Sequence, residues 1–245
     1  MENTTLRRVE RVRYELRRRE VTVARTEHIG GFARIVFTGE SLADFISGSF
    51  DDHVKFFFQP AGATEPIGRD YTPRAFDRER RELTLEFALH GGGPACEWAR
   101  QAQPGQQATI GGPRGSFIVP ADYEWHLLAG DASALPAIHR RLEELPAGTR
   151  AIVRVLVHDA AEQRDLRSAA ELDLQWARTP QGLIHAVEAL VLPAGEGFAW
   201  CAGEASAMAR LRQVLLTEKQ HPREAARIAA YWKQGATSHH ENLTP

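Results

Sequence analysis

The feature that most constrains this chain is a change of hydrophobic pattern at residues 118–122. Before that point, apolar or alternating segments such as 20–26, 32–38 and 82–90 are separated by glycine-containing turns. Short segments of this kind are typical of antiparallel β-strands. One helix interrupts them, with Pro94 placed to open it. This half is therefore expected to form an antiparallel barrel or sandwich.

After residue 122 the chain alternates between strand-like and helical segments. The apolar runs 125–131, 151–159 and 198–204 each lead into a helical stretch, of which 135–145 and 206–219 are the clearest. Strands that alternate with helices predict a parallel sheet covered on both faces. We therefore expect two domains, residues 12–120 and residues 121–245, the first β and the second α/β.

Composition excludes several classes of function. The 245 residues contain 30 Lys+Arg and 32 Asp+Glu, for a net charge of −2, which argues against bulk nucleic-acid binding. No apolar run approaches the ~20 residues of a membrane span, and the N-terminus lacks a secretory signal. Cys96 and Cys201 cannot form a disulfide framework, so we expect a cytoplasmic protein. Nothing in the sequence indicates an oligomeric state.

The first candidate motif is the segment 69–74, Arg-Asp-Tyr-Thr-Pro-Arg. On a strand, Arg69 and Tyr71 share one face, and Thr72 and Arg74 share the other. A tyrosine ring, a hydroxyl and a guanidinium suit a planar aromatic cofactor that carries phosphate. An edge strand with surface arginines and a half-buried tyrosine explains the same residues, and at this point both interpretations stay open.

Three further segments have the pattern of ligand-binding turns. The glycine run 90–93 leads into the Pro94 helix, whose N-terminus favours an anion, although its spacing matches no nucleotide motif. Segments 127–138 and 200–204 each place small or acidic residues at a strand end, where open α/β sheets bind ligands. A flexible turn and, for Cys201, a small core residue are the simpler alternatives.

Other catalytic classes have no support in the sequence. The ten histidines show no metal-ligand spacing with Cys, Asp or Glu, and His239-His240 lies in a polar tail. The chain has no nucleophile elbow, no HExxH segment and no paired-carboxylate signature. We therefore expect neither a hydrolase nor a resident metal.

Taken in order, these motifs resemble the siderophore-interacting protein family, which comprises FAD-dependent ferric-siderophore reductases of the ferredoxin–NADP reductase superfamily. The resemblance runs from about residue 12 to residue 236. It rests on Arg-x-Tyr-Thr-x-Arg (69–74), His-Gly-x-Gly-Pro-Ala-x-x-Trp-Ala (90–99), Gly-Pro-x-Gly-Ser (112–116), Leu-Ala-Gly-Asp-x-Ser-Ala-Leu-Pro-Ala (128–137), Trp-x-Ala-Gly-Glu (200–204) and Tyr-Trp-Lys-Gln-Gly (231–235).

The resemblance implies a fold and a set of site residues. The fold would be an N-terminal antiparallel Greek-key flavin-binding barrel followed by a C-terminal parallel-sheet α/β domain for NAD(P)H, with a siderophore-pocket segment at its end. Lys55 and Lys233, two of only three lysines, would bind the anionic ferric siderophore. The cofactors would be contacted by Arg69, Tyr71, Thr72, Arg74, His90, Gly93, Ala95, Trp98, Asp131, Ser133, Ala134, Cys201, Ala202, Gly203 and Glu204.

The resemblance also implies the chemistry. Hydride from NAD(P)H would reduce FAD, which would pass single electrons to Fe(III), so that no side chain need act as a proton-transfer catalyst. The siderophore class stays open, as does the choice among NADH, NADPH and reduced ferredoxin. Four arginines are expected in the second domain, and any of them, or none, could meet a 2′-phosphate: Arg140, Arg141, Arg154 and Arg164. The alternatives are a general flavin reductase or electron-transfer flavoprotein of the same superfamily, and a protein that binds ferric siderophore without reducing it.

Overall fold

The computed structural model describes residues 9–60, 62–89, 92–236 and 241–244, which divide into two compact units. The barrel unit contains residues 11–117 together with the segment 158–165. The α/β unit contains residues 118–157 and residues 166 onwards. In the described parts of the chain, no helix has both the length and the apolar character needed to cross a bilayer.

Within the described residues, the barrel unit consists of β-strands, one α-helix and two short 3₁₀ turns. Seven strands form one sheet in the order β5-β4-β8-β2-β3-β7-β6, and β1 pairs with β9. The elements are β1 (Glu10–Arg13), β2 (Arg18–Ile29), β3 (Phe32–Thr38), β4 (Val54–Phe58), β5 (Ile67–Tyr71), β6 (Ala75–Asp77), β7 (Glu82–Ala88), α1 (Pro94–Gln101), β8 (Gln107–Gly111) and β9 (Gly115–Ile118).

The core of the barrel unit follows from the two-residue period of its strands. On β4, Val54, Phe56 and Phe58 are buried, whereas Lys55 and Phe57 are partly exposed on the other face. Helix α1 closes the core with Trp98, whose ring centroid lies 4.7 Å from that of Phe56. Burying an aromatic side chain of this kind stabilises the fold by about 1.5–3 kcal/mol.

The α/β unit contains a six-stranded sheet in the order β12-β11-β10-β13-β14-β15. All its recorded pairings are parallel except the last, between β14 and β15. The elements are β10 (Trp125–Asp131), α2 (Leu135–Glu144), β11 (Arg150–Leu156), β12 (Glu171–Ala177), α3 (Pro180–Glu188), β13 (Gly197–Glu204), α4 (Ala205–Gln213) with a π-helical turn at Val214–Glu218, β14 (Ala226–Trp232) and β15 (Glu241–Asn242). The expected fold class is confirmed.

Two details differ from the sequence prediction. The helix expected at 185–192 is α3, which begins five residues earlier because Thr179 caps it, its side chain accepting a hydrogen bond from the N–H of Gly182 at 3.0 Å. The polar strand β12 was not predicted, since its alternation of charged and apolar residues contains no buried run. As the edge strand of the sheet, β12 needs no such run.

Candidate functional site

The segment 69–74 contributes to the core of the barrel unit and to its surface. In the β4–β5 pairing, Arg69 lies opposite Phe56 and Tyr71 lies opposite Val54. Arg69 and Tyr71 therefore share the inward face, as the alternation predicts. Strand β5 ends at Tyr71. The next residue, Thr72, is buried, with 8% of its surface exposed.

Tyr71 lies among aromatic rings and next to helix α1. Its ring centroid is 4.3 Å from that of Phe87. Burial raises the pKa of Tyr71, the thiol of Cys96 adds to this, and Arg69 opposes it. The phenol therefore stays protonated at neutral pH and can donate a hydrogen bond. The guanidinium of Arg69 donates to the carbonyl of Gly68 at 2.8 Å.

The start of α1 brings a glycine turn next to Tyr71. Gly92 and Gly93 have φ values of 72° and 105°, and a Cβ added to either would meet no atom of the described residues within 4 Å. Gly93 precedes the helix without any side-chain cap, and Cys96 is hydrogen-bonded to the backbone of Gly92. Open space, a guanidinium and uncapped helix N–H groups fit a flavin nucleotide that carries phosphate. His90, also predicted here, lies outside the described residues.

Trp98 and Arg74, both predicted to contact the cofactor, are in contact with other residues of the barrel unit. Trp98 is only 8% exposed, and its ring packs on Phe37 and Phe56 because the helix directs it into the core. A flavin contact for the small part of Trp98 that stays exposed remains a prediction. Arg74 is buried, with its Nε 3.8 Å from the carboxylate of Glu86. Ala95, in contrast, is partly buried against the edge of the core.

Sequence reasoning missed a charged cluster that surrounds Glu86. The Glu86 carboxylate accepts hydrogen bonds from Arg34 at 2.7 Å and from Arg164 at 2.6 Å. Burial alone would raise the pKa of Glu86, but Arg164 and Arg34 outweigh it and hold that pKa below its usual range. The guanidinium carbon of Arg164 also lies 4.2 Å from the centroid of the Phe32 ring. Arg164 thus fastens the segment 158–165 within the barrel unit.

In the α/β unit, Asp131 connects the ends of three strands. Its Oδ1 accepts from the N–H of Ser133 at 2.9 Å and from the Ser133 hydroxyl at 2.5 Å. Its Oδ2 accepts from the N–H of Glu204 and from the indole Nε1 of Trp232, each at 2.8 Å. A Cβ on Gly203 would lie 2.5 Å from Oδ2 of Asp131. The backbone of β13 can therefore come this close to Asp131 only with glycine at position 203. The donors of all four bonds are residues of this chain. Asp131 therefore fixes the positions of neighbouring strand ends at the carboxyl edge of the parallel sheet.

Glu204 supports the same edge. Its Oε2 caps α4 by accepting from the N–H groups of Ser206 at 2.7 Å and Ala207 at 3.3 Å. Its Oε1 accepts from the N–H of Gln234 at 3.4 Å. Burial would raise the pKa of Glu204, but the hydrogen bonds from Ser206 and Ala207 lower it. Asp131 and Glu204 together hold the residues on either side of the exposed Lys233.

Three predicted contacts in the α/β unit have no exposed side chain. Ala134, Cys201 and Ala202 each have 0% exposed surface, and Cys201 lies in the apolar core of the unit. Burial raises the pKa of the Cys201 thiol to about 12, so it is an inert core residue at neutral pH. Residues of a central parallel strand are buried on both faces, so a contact of Cys201 or Ala202 with a nicotinamide would involve the backbone and stays a prediction.

The predicted basic residues differ in their surroundings. Lys55 forms an ion pair with Asp70, its Nζ 2.8 Å from Oδ1. Of the arginines considered for a 2′-phosphate, Arg154 pairs with Asp173 at 3.0 Å and Arg140 with Glu144 at 3.0 Å. Arg141 is buried and donates to the carbonyl of Pro120 at 2.7 Å. Within the described ranges, no group of three His, Cys, Asp or Glu side chains is placed to hold a metal ion.

Comparison with known proteins decides the family. Residues 123–235 match the sequence model described as "Siderophore-interacting protein", and residues 22–67 and 59–117 match "Siderophore-interacting FAD-binding domain". The chain belongs to the siderophore-interacting protein family. The barrel unit therefore carries the FAD-binding domain of that family.

Relatives with assigned names cover nearly the whole chain. An Escherichia coli K12 protein named "NADPH-dependent ferric-chelate reductase" is 40% identical over 94% of this chain and 98% of its own. The Vibrio cholerae protein "Ferric vibriobactin reductase ViuB" is 33% identical over 82% of this chain and 84% of its own. A siderophore utilization protein from T. fusca superposes with a TM-score of 0.86 at 33% identity, covering 94% of this chain and 98% of that one.

Proposed function

We propose that this protein is an FAD-dependent ferric-siderophore reductase that releases iron by reducing Fe(III) to Fe(II). The observation that carries the proposal is the 40% identity, over 94% of the chain, to a protein named as a ferric-chelate reductase. The proposed substrate is a ferric siderophore and the proposed location is the cytoplasm. FAD, when bound, converts two-electron donation by a nicotinamide into single-electron transfer to iron.

The residues of the barrel unit supply binding and orientation in this proposal. Tyr71 offers an aromatic surface and a protonated hydroxyl at the edge of the core, and Arg69 offers a guanidinium for a phosphate. Gly92 and Gly93 carry no side chain of their own that could stand between a ligand and the start of α1. His90 and Thr72 stay in the proposed cofactor site as predictions.

The α/β unit would receive the nicotinamide nucleotide at the carboxyl ends of its strands, where open α/β sheets bind ligands. Asp131, Ser133, Gly203 and Glu204 meet at this edge. Because their recorded hydrogen bonds are internal, we assign Asp131 and Glu204 to shaping the edge rather than to contacting the nucleotide. We propose NADPH as the donor, following the name of the E. coli relative.

We propose that Lys55 and Lys233 attract the anionic chelate. Lys55 is 41% exposed at its side chain, and Lys233 is exposed beyond the end of β14. Neither substitution should disturb the core, so K55A and K233A report on substrate binding. Against the control K219A, whose Nζ donates to backbone carbonyls at the end of α3, the double variant should raise KM for an anionic ferric chelate and leave flavin reduction by NADPH unchanged.

Anaerobic titration of the purified flavoprotein tests the assignment. We expect NADPH to bleach the flavin absorbance and a ferric siderophore to restore it. Bleaching followed by reoxidation with free flavins or other acceptors, but with no ferric chelate, would favour a general flavin reductase. Tight chelate binding by protein that cannot be loaded with FAD would favour a siderophore carrier. Either result would contradict the proposal.

A further inference from the structure

The surface around Lys55 contains an acidic residue that the assignment of substrate binding does not include. In the β4–β5 pairing, Lys55 lies directly opposite Asp70, so both side chains extend from the outer face of the sheet. The Lys55 Nζ is 2.8 Å from the Asp70 Oδ1, with 41% and 28% of the two side chains exposed. Neither the family match nor the names of relatives assigns a role to Asp70.

The stem of Lys55 is confined, so its ammonium group is held near Asp70. A Cβ on Gly68 would lie 3.0 Å from both Cγ and Cδ of Lys55 and 3.0 Å from the ring of Phe57. The lysine stem and the ring therefore occupy the space that a side chain at Gly68 would take. Packing of this kind reduces the rotamers open to a lysine, which an exposed ion pair otherwise has to restrict by itself.

A second cation borders the same surface. The guanidinium carbon of Arg18 lies 4.9 Å from the centroid of the Phe57 ring. In the strand register, Lys55 and Arg18 both lie opposite Gly111, one on each side of it. Asp70 is the carboxylate that pairs with Lys55, so it offsets the charge of one of these two cations. An anionic ligand that approaches Lys55 must compete with Asp70 and is repelled by it, whereas a neutral ligand is not.

We propose that Asp70 is a specificity-determining residue: it sets how the affinity of this enzyme for a ferric chelate depends on the net charge of that chelate. It lowers the affinity of Lys55 for strongly anionic chelates, such as a tricatecholate complex of charge −3, relative to neutral ones, such as a trihydroxamate complex. The inference rests on the proposed function and refines its substrate class. Asp70 acts through Lys55 and through direct repulsion, and it takes no part in electron transfer.

The test is the binding of gallium(III) chelates to the FAD-loaded protein, measured calorimetrically. Ga(III) resembles Fe(III) in charge and ligand preference but is not reduced, so affinity is measured without turnover. D70N should raise the association constant of a hexadentate gallium tricatecholate roughly three- to tenfold and leave that of a gallium trihydroxamate unchanged within about twofold. The gain should shrink at high salt.

Two further variants make the test specific. D77N removes a comparable carboxylate in the same unit, paired with Arg80 at 3.7 Å, and should alter neither affinity. K55Q combined with D70N should lose most of the gain seen with D70N alone, because the freed ammonium is then absent.

The outcomes separate the inference from the proposed function. Equal affinities for D70N and the parent protein, or an equal gain for both chelates, would overturn the role of Asp70 even in an active reductase. The predicted change in preference, in a protein that yields no Fe(II) from the ferric chelates, would support the role of Asp70 and contradict the reductase. A holoenzyme that binds neither gallium chelate would contradict both.

Discussion

Trp232 donates its indole N–H to Asp131 across 2.8 Å, and this bond connects the carboxyl ends of β14 and β10. The same carboxylate accepts from Ser133 and Glu204, so one buried side chain holds three strand ends together. The segment that begins at Trp232 carries Lys233, one of the two lysines proposed to bind substrate. The position of Lys233 therefore depends on the hydrogen bond between its neighbour Trp232 and the buried carboxylate of Asp131.

Replacing Trp232 with phenylalanine should remove this hydrogen bond and keep most of the ring. The lost bond is to a charged group that remains buried, so we expect the free energy of unfolding in urea to fall by about 1.5–3 kcal/mol. Trp176→Phe is the control, because Trp176 is a tryptophan on another strand of this sheet and is not fully buried. A similar loss in both variants would mean that ring packing, and not the bond to Asp131, accounts for the effect.

Glu86→Gln should destabilise the barrel unit strongly, because it leaves the guanidinium groups of Arg34 and Arg164 without their buried counter-charge. Breaking a buried pair in this way costs about 3–5 kcal/mol. The control is Glu82→Gln on the same strand, where the partner Arg25 is 58% exposed and the expected cost is below about 1 kcal/mol. Urea unfolding of both variants gives the comparison. Equal costs for the two would show that the Glu86 cluster is no more than a surface ion pair.

The pH dependence of stability should report on His126. An unfolded imidazole titrates near pH 6.5. In the folded protein, burial and then the nearby Arg141 lower the pKa of His126 to about 3. Between these values the unfolded chain binds a proton that the folded chain does not, so stability falls as the pH decreases from 6.5 towards 3.

His126→Gln removes that contribution. Between pH 7 and pH 5, the variant should lose up to about 2 kcal/mol less stability than the parent protein. The exposed His28 provides the control variant, His28→Gln, which should follow the parent curve. Denaturant unfolding at the two pH values measures both. Parallel pH curves for the parent protein and His126→Gln would contradict a lowered pKa at this residue.

Arg69→Ala should weaken the retention of FAD. A charge-assisted hydrogen bond to a phosphate contributes about 1.5–3 kcal/mol, so the dissociation constant should rise roughly tenfold or more. Fluorescence titration of flavin-free protein with FAD measures it. Arg80→Ala, at an exposed turn of the same unit, should have no effect. An unchanged FAD affinity in Arg69→Ala would remove this residue from the cofactor site.

The elements of this fold were predictable where local pattern and tertiary burial agree. The run at 125–131 indicated a strand buried on both faces, and β10 is one, with every residue buried. Pro94 correctly marked the first residue of α1. The alternation at 69–71 correctly placed Arg69 and Tyr71 together on one face.

The site was predictable only as far as sequence motifs reach. The partners of Glu86 come from β3, from the segment 158–165 and from Arg74, and the sequence does not reveal which of these segments are neighbours. Asp70 is fifteen positions from Lys55 along the chain, and only the register of β4 and β5 places them opposite each other. The burial of Cys201 and Trp98 was likewise decided by packing, since their motifs are equally compatible with an exposed ring or thiol.

The proposed reaction transfers electrons from NADPH to the iron of a ferric siderophore. Measuring the amounts of NADPH oxidised and of Fe(II) formed tests it most directly. Under anaerobic conditions, the FAD-loaded protein is given NADPH, a ferric siderophore and an iron(II)-trapping dye. Because a hydride carries two electrons, we predict two trapped Fe(II) ions for each NADPH oxidised. NADPH oxidation without trapped Fe(II), or Fe(II) that forms at the same rate without the protein, would contradict the account.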